Sequence, residues 1–172
     1  RMDEGLDTGP VLMRKAIPIE GTDTGGSLHE KLSSLGAEVL LEGLPRFLRG
    51  ELVEVPQDHP NHTLAPIINK EDGLLVWTKR AIELERLVRA FTPWPGTFTR
   101  LGGKLLKVHR ASVAAGQSGE PGKVLVATGD KLVVGCGEGA LQLHEVQLEG
   151  GKRMAAGPFL QGKRVEAGGQ LG

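Results

Sequence analysis

Residues 78–96 read TKRAIELERLVRAFTPWPG, and this stretch joins two kinds of structure. Ile82, Leu84, Leu87, Val88 and Phe91 recur at helical spacing and predict a helix over 78–91 with a broad apolar face. Pro93 and Pro95 end it, because neither can continue the helical ladder. Before it, "LLVW" (74–77) reads as a short strand. Beyond Gly96 the pattern turns to short β runs at 97–101, 104–114, 122–127, 131–136 and 140–147, punctuated by Gly102-Gly103, Pro121-Gly122, Gly129-Asp130 and Glu138-Gly139. Short strands parted by turn signals at such intervals predict a small closed barrel. Residues 154–160 predict a last helical turn, and the tail beyond them a loose end. Trp77 and Trp94 are expected to pack against the helix rather than face a partner.

Upstream the pattern differs. "PVLMRKAIPI" (10–19) alternates loosely and reads as a strand or strand pair. Ser27-Leu28-His29-Glu30 has the form of a capping box. Leu28, Leu32, Leu35, Val39 and Leu40 follow at helical spacing and define one buried face. Gly36 and Pro45 divide this region into helices at 27–35 and 37–49, with Gly50 as the residue just past the end. Loop, strand and helix in that order are what the end of an α/β domain looks like. Residues 51–69, "ELVEVPQDHPNHTLAPIIN", hold three prolines and little periodicity, which predicts an extended, semi-rigid linker. His59 and His62 lie there with no third ligand beside them, so they read as solvated side chains.

At 172 residues the chain has room for one medium domain or two small ones. No apolar run approaches the ~20 residues of a membrane span. A single cysteine, Cys136, excludes an internal disulfide framework and any multi-cysteine zinc site. Its setting in "KLVVGCG" makes it buried filler. The formal net charge is zero, yet residues 1–73 carry seven Lys/Arg against thirteen Asp/Glu, and residues 74–172 carry fourteen against eight. A basic half joined to an acidic half points to different partners, a polyanion for the second.

The chain opens on "DEGLDTGPVL" (3–12), three acids in five positions followed by an apolar run. A flexible acidic loop this close to Arg1 reads as one wall of a site whose other half is encoded upstream.

Three stretches together resemble the methionyl-tRNA formyltransferase family. "MDEGLDTGPVL" (2–12) is similar to the catalytic loop of 10-formyltetrahydrofolate-dependent transferases. "PQDHPNHTLAPIINKEDGLLVW" (56–77), with "RLVRAFTPWPGTF" (86–98), resembles that family's linker and the start of its C-terminal domain. "GALQLHEVQLEGGKRMAAGPFLQG" (139–162) is like the closing strand and final helix of that domain.

The resemblance implies an α/β remnant over 1–50, the end of a Rossmann-like catalytic domain. A proline-rich linker over 51–72 and a small OB-like β-barrel domain over 73–172 follow. It implies formyl transfer from 10-formyltetrahydrofolate to the amino group of initiator methionyl-tRNA, by a monomeric cytoplasmic enzyme that uses no metal and no membrane. The family uses an Asn-x-His pair and an Asp. Asp7 of "LDTG" matches the Asp, and no Asn-x-His occurs in this sequence, so the chain alone is expected to be inactive. Asp3, Glu4, Gly5, Leu6 and Asp7 would then contact the folate, largely through backbone. Gly5 and Gly9 would let the main chain approach the flat pterin.

The chemistry suits these residues. An amine attacking a formyl carbon builds a tetrahedral oxyanion that donors stabilise, while a carboxylate orients the imidazole and relays the amine's proton. Arg100, Lys104, Lys107, Arg110, Lys152, Arg153, Lys163 and Arg164 are the candidate phosphate contacts on tRNA. The alternatives are a sugar-nucleotide formyltransferase or a formyltetrahydrofolate hydrolase, which share the Asp loop. A stand-alone RNA-binding barrel is the alternative without catalysis.

Overall fold

The computed structural model describes residues 1–162 and 165–172. It divides into two compact units, Arg1–Gly21 with Ser27–Ile67, and Thr22–Gly26 with Ile68–Gly172.

The first unit is built around helix α1 (Gly25–Leu48), whose opening residues belong to the second. It is one helix where the sequence predicts two. Gly36 faces open space, so it lowers helix propensity by about 1 kcal/mol without demanding a break. Pro45 removes one ladder bond, and the ladder resumes with Arg49 N–H donating to Pro45 O. The helix begins before Ser27, which therefore lies in the first turn rather than at a cap. Its end is as expected. Gly50 takes φ +71, its N–H donates to Phe47 O, and Glu51 N–H donates to Arg46 O. Those two bonds are the Schellman pair, which closes off the last free carbonyls.

The expected buried face of α1 is not buried. Leu32 is 49% exposed and Leu40 62% exposed, and of the helix residues Gly43 alone is buried. Residues 10–19 form no strand. Their ladder is the single antiparallel pair Val11–Val55, whose N–H groups donate to each other's carbonyls at 2.9 and 3.0 Å. Pro10 and Pro56 flank that pair, and a proline cannot donate to an extended ladder.

In the second unit, α2 (Ala81–Ala90) is the helix of the opening stretch, with Ala81, Leu84 and Val88 buried. Arg80 precedes it, and the Glu83 carboxylate accepts the Arg80 backbone N–H at 3.0 Å. Among the described residues six strands follow and then α3: β1 (Thr97–Leu101), β2 (Lys104–Val113), β3 (Val124–Thr128), β4 (Lys131–Gly135), β5 (Ala140–Leu148), β6 (Met154–Ala155) and α3 (Ala156–Gly162). The predicted β runs match these strands to within about two residues. "LLVW" does not become a strand and makes only a bridge from Leu74 to Phe98.

The strand order is β1-β2-β5-β4-β3, all antiparallel, with β6 on β5. The sheet is open, not the closed barrel expected, because β1 and β3 do not pair. The chain end lies at both free edges instead. Leu171 bridges Leu101, and Gln170 bridges Lys123. The expected loose tail is thus ordered over residues 165–172, and Leu171 is 1% exposed.

The core is continuous from Leu75, Leu84 and Val88 through Leu106, Val134 and Leu143 to Phe159. Trp77 is buried, as expected, and its indole N–H donates to Thr99 Oγ1 at 3.0 Å. Trp94 is not packed. It is 59% exposed, because it sits in the two-proline turn that leaves the helix. Cys136 is buried, and burial pushes its thiol up to about 11, which keeps it an unreactive apolar filler.

Thr99 is buried, so Thr99→Val would leave the indole donor without an acceptor. A buried unmet donor costs about 1–3 kcal/mol. Urea unfolding should show that loss with an unchanged m-value, and an unaltered midpoint would mean the bond contributes nothing net.

Candidate functional site

The acidic loop curls on itself. The Asp3 carboxylate accepts the Thr8 hydroxyl at 2.6 Å and the Gly5 N–H at 3.1 Å. The Thr8 hydroxyl foremost, then Gly5 N–H and the charge field of His59, hold the Asp3 carboxyl below the usual carboxylate range. The backbone nitrogen of Arg1 donates to Pro10 O at 2.9 Å. The Arg1 guanidinium pairs with Glu54 at 2.5 Å.

The two loop glycines are required by this curl. A Cβ on Gly5 would lie 2.1 Å from Thr8 Oγ1, and one on Gly9 would lie 1.8 Å from Arg1 O. Both glycines thus allow the loop to approach itself closely.

Asp7 has φ +55, and among the described residues it is the non-glycine residue in the left-handed region. That conformation costs a typical L residue about 1–2 kcal/mol, and Asp tolerates it better than most. It turns Asp7 onto the wall of a cleft of about 500 Å³, lined also by Arg1, Asp3, Gly5, Leu6, Thr8, Gly9 and Gln57. Of the expected folate contacts, Asp3, Gly5, Leu6 and Asp7 line the cleft and Glu4 does not. Leu6 is 92% exposed, an apolar surface beside a carboxylate that makes no hydrogen bond or ion pair among the described residues. Such a wall can cover one face of a flat ring while its carboxylate moves a proton.

Sequence reasoning missed Gln57, which it placed in a passive linker. Its side-chain amide donates to Asp7 O at 2.9 Å and to Gly9 O at 2.7 Å. The one sequence-level signal was the bracketing of a glutamine between proline and acid in "VPQDHP", which does not by itself reveal a partner fifty residues away.

Of the eight candidate phosphate contacts, Lys163 and Arg164 lie outside the described residues. The other six are exposed, and the sheet brings three of them together. Lys107 and Arg110 lie on β2, and the register sets Lys107 opposite Gln147 and Arg110 opposite Glu145 on β5. Glu145 accepts from Arg153 Nε at 2.7 Å and from Arg110 Nε at 3.2 Å. Those two guanidiniums, Arg153 foremost, hold its carboxyl below the usual range. Register shifts on either side of Arg110 place His109 and Arg110 in succession beside this group, as bulges do.

Lys107, His109 and Arg153 share a smaller cleft of about 240 Å³ with Pro93, Pro95 and Phe98. Burial foremost, with the charges of Arg153 and Lys107, pushes the His109 imidazole below its usual value against its bond to Gln147. Arg100 and Lys104 sit apart at the β1–β2 turn, where Arg100 donates to Gly103 O. Lys152 precedes Arg153 in the chain. Among the described residues Lys104, Lys107 and Lys152 have no acidic partner. No group of three or more His, Cys, Asp or Glu residues that could hold a metal occurs among the described residues. No helix among them is long and apolar enough to cross a membrane.

The profile described as "Formyl transferase, C-terminal domain" matches residues 67–164. Methionyl-tRNA formyltransferase of Myxococcus xanthus is 57% identical over 98% of this chain and 54% of its own length. The proteins of that name from Geobacter sulfurreducens and Pseudomonas paraeruginosa are 47% and 45% identical over 99% of the chain, and 54% and 55% of their own lengths. The chain thus spans about half the length of the curated relatives it matches.

Two solved structures share the fold at low identity. Aquifex aeolicus HypX in complex with tetrahydrofolic acid superposes with a TM-score of 0.64 at 22% identity, over 96% of this chain and 30% of that one. WlaRD, a sugar 3N-formyl transferase solved in the presence of dTDP and 5-N-formyl-THF, gives 0.64 at 18%, over 83% and 52%.

Proposed function

This chain belongs to the formyl transferase family, and from that premise we propose that it forms the second half of a methionyl-tRNA formyltransferase. The observation that carries the reading is the identity of 57%, extending across 169 residues and both units, to a protein of that name. In this reading residues 1–50 end a Rossmann-like catalytic domain, 51–72 connect, and 73–172 form an OB-like tRNA-binding domain. The exposed Leu40, Leu41, Leu44 and Leu48 on α1 support the first assignment, since contiguous exposed apolar side chains mark a surface that another layer covers.

The donor, 10-formyltetrahydrofolate, supplies the formyl carbon when bound. Leu6 and the loop backbone of Asp3 and Gly5 would hold it, and the lining of the cleft fits a flat, partly polar ring. Asp7 would accept the proton that the methionyl amine gives up as its nitrogen bonds to the formyl carbon, and a proton would pass to the folate nitrogen as its bond to that carbon breaks, directly or through water. The oxyanion donors come from outside this chain. Initiator methionyl-tRNA lies along the cationic face of the second unit. The enzyme acts in the cytoplasm, at the start of translation.

The assay that tests this offers the full-length enzyme formyl donor together with either methionyl-tRNA or an amino-sugar nucleotide. Transfer to the tRNA amine is expected. Transfer to the sugar alone would replace this reading with the sugar-nucleotide one, which the WlaRD likeness leaves as the comparison to make.

A separate prediction concerns the RNA surface. Lys104, Lys107 and Lys152 are exposed and pair with no carboxylate among the described residues, so their charge is free to displace counterions. Replacing all three by alanine in the full-length enzyme should flatten the slope of log K for tRNA against log salt by about 0.7–0.9 for each that meets a phosphate. Thermal stability should change little, because exposed charges contribute little to it. An unchanged slope would place the RNA on another face.

A further inference from the structure

We propose that Gln57 is a positioning residue for Asp7, and that the segment carrying it is a structural part of the catalytic loop rather than a passive connection. The inference rests on the formyl-transfer reading of Asp7.

The backbone pair Val11–Val55 exchanges both its hydrogen bonds. Two residues further along each strand of an antiparallel ladder, the next bonded pair would be Gly9 with Gln57. Pro10 and Pro56 occupy the step between. At the Gly9–Gln57 position the backbone does not continue the ladder. The side-chain amide of Gln57 meets Gly9 O at 2.7 Å and reaches on to Asp7 O at 2.9 Å.

Both partners are carbonyls and can only accept, so the group facing them is the amide nitrogen, and its two hydrogens are both used. One side chain thereby fixes the carbonyls on either side of Thr8. Asp7 needs such a hold. Its left-handed φ is a conformation that persists only where surrounding structure imposes it. The Asp3–Thr8 bond closes the loop on itself but leaves Asp7 O to Gln57. Gln57 is half-buried, and its bond to Gly9 O is partly buried with it, while the bond to Asp7 O is exposed.

The experiment uses three forms of the full-length enzyme: unaltered, Gln57→Ala and Gln57→Glu. Gln57→Ala removes both donors, and kcat should fall about tenfold or more, as misplacement of a reacting group by about an ångström does. The KM for methionyl-tRNA should stay within about twofold. Amide exchange at Thr8 and Gly9 should quicken while the second unit is unaffected.

Gln57→Glu keeps the shape but turns acceptors toward two carbonyls. Arg1, Asp3 and Asp7 line the cleft with it, and Glu54, Asp58 and His59 flank it on its own segment. Beside two carbonyls its carboxyl is raised, and once protonated it donates one bond. The activity of Gln57→Glu relative to the unaltered enzyme should therefore rise as pH falls from 7.5 to about 5.5. A role confined to stability would not produce that ratio.

Unchanged kcat in Gln57→Ala, or a flat ratio in Gln57→Glu, overturns the inference and leaves the formyl-transfer reading standing. An unaltered enzyme that transfers no formyl group overturns that reading instead. In that case the exchange rates at Thr8 and Gly9 still decide whether Gln57 holds the loop. Should Gln57→Ala fail to fold, the pH ratio of Gln57→Glu carries the decision.

Discussion

Asp7→Asn is expected to lower kcat for formyl transfer in the full-length enzyme by about 10² or more, the usual loss when a proton-transfer group is removed. The substitution is informative because of the backbone it sits on. Asp7 is at φ +55, and asparagine enters the left-handed region as readily as aspartate. The loop therefore keeps its path, the Gln57 bonds to Asp7 O and Gly9 O are untouched, and only the charge and basicity of the carboxylate are lost. Asp7→Ala would mix the lost carboxylate with about 1 kcal/mol or more of backbone strain. Asp7→Gly relieves the strain and still lacks the carboxylate, so it should be as inactive as Asp7→Asn. Stopped-flow or single-turnover measurement of formyl transfer to methionyl-tRNA checks both. Near-normal turnover in Asp7→Asn would remove Asp7 from the mechanism, whatever the resemblance of its loop.

What could be read from the sequence, and what could not, divides along a physical line. The β runs were legible because turns such as Gly102-Gly103 and Gly129-Asp130 are specified locally, by residues that accept positive φ. The helix at Ala81–Ala90 was legible because its apolar spacing and the prolines after it act over a single turn. The loop motif marked Asp7 as a candidate in the same local way, and the fold sets it on the wall of a cleft. Where the outcome depended on distant partners, the reading failed. α1 continued through Gly36 because that glycine faces open space, a property that no window of sequence contains. The barrel stayed open because its edges met the chain end. Gln57 was invisible because its partners lie 48 and 50 residues away. Periodicity reports which face is apolar but not what covers it, and the exposed leucines of α1 carry a core-like pattern for that reason.

Leu171→Ala is expected to destabilise the second unit by about 2–5 kcal/mol, the range for a leucine truncated in a packed core. Nothing in "EAGGQLG" (166–172) announces a core residue, since one apolar side chain among glycines has no period. Yet Leu171 is 1% exposed and belongs to the same cluster as Leu75, Trp77 and Leu106. The backbone around it is bonded on both sides. Leu171 N–H donates to Gly122 O at 2.8 Å, Gly172 N–H to Arg100 O at 3.0 Å, and Val124 N–H to Gly169 O at 2.8 Å. The segment thus supplies partners to the edges that β1 and β3 leave unpaired, and a free edge is where a sheet frays or recruits another chain. Removing the side chain leaves a cavity in that cluster, and removing residues 168–172 would also release the edge bonds. The deletion should therefore cost more than Leu171→Ala, and it should add a tendency to aggregate that the point variant lacks. Denaturant unfolding followed by Trp77 fluorescence, with light scattering beside it, measures both effects. A deletion no worse than the point variant would mean that the chain end contributes only its leucine.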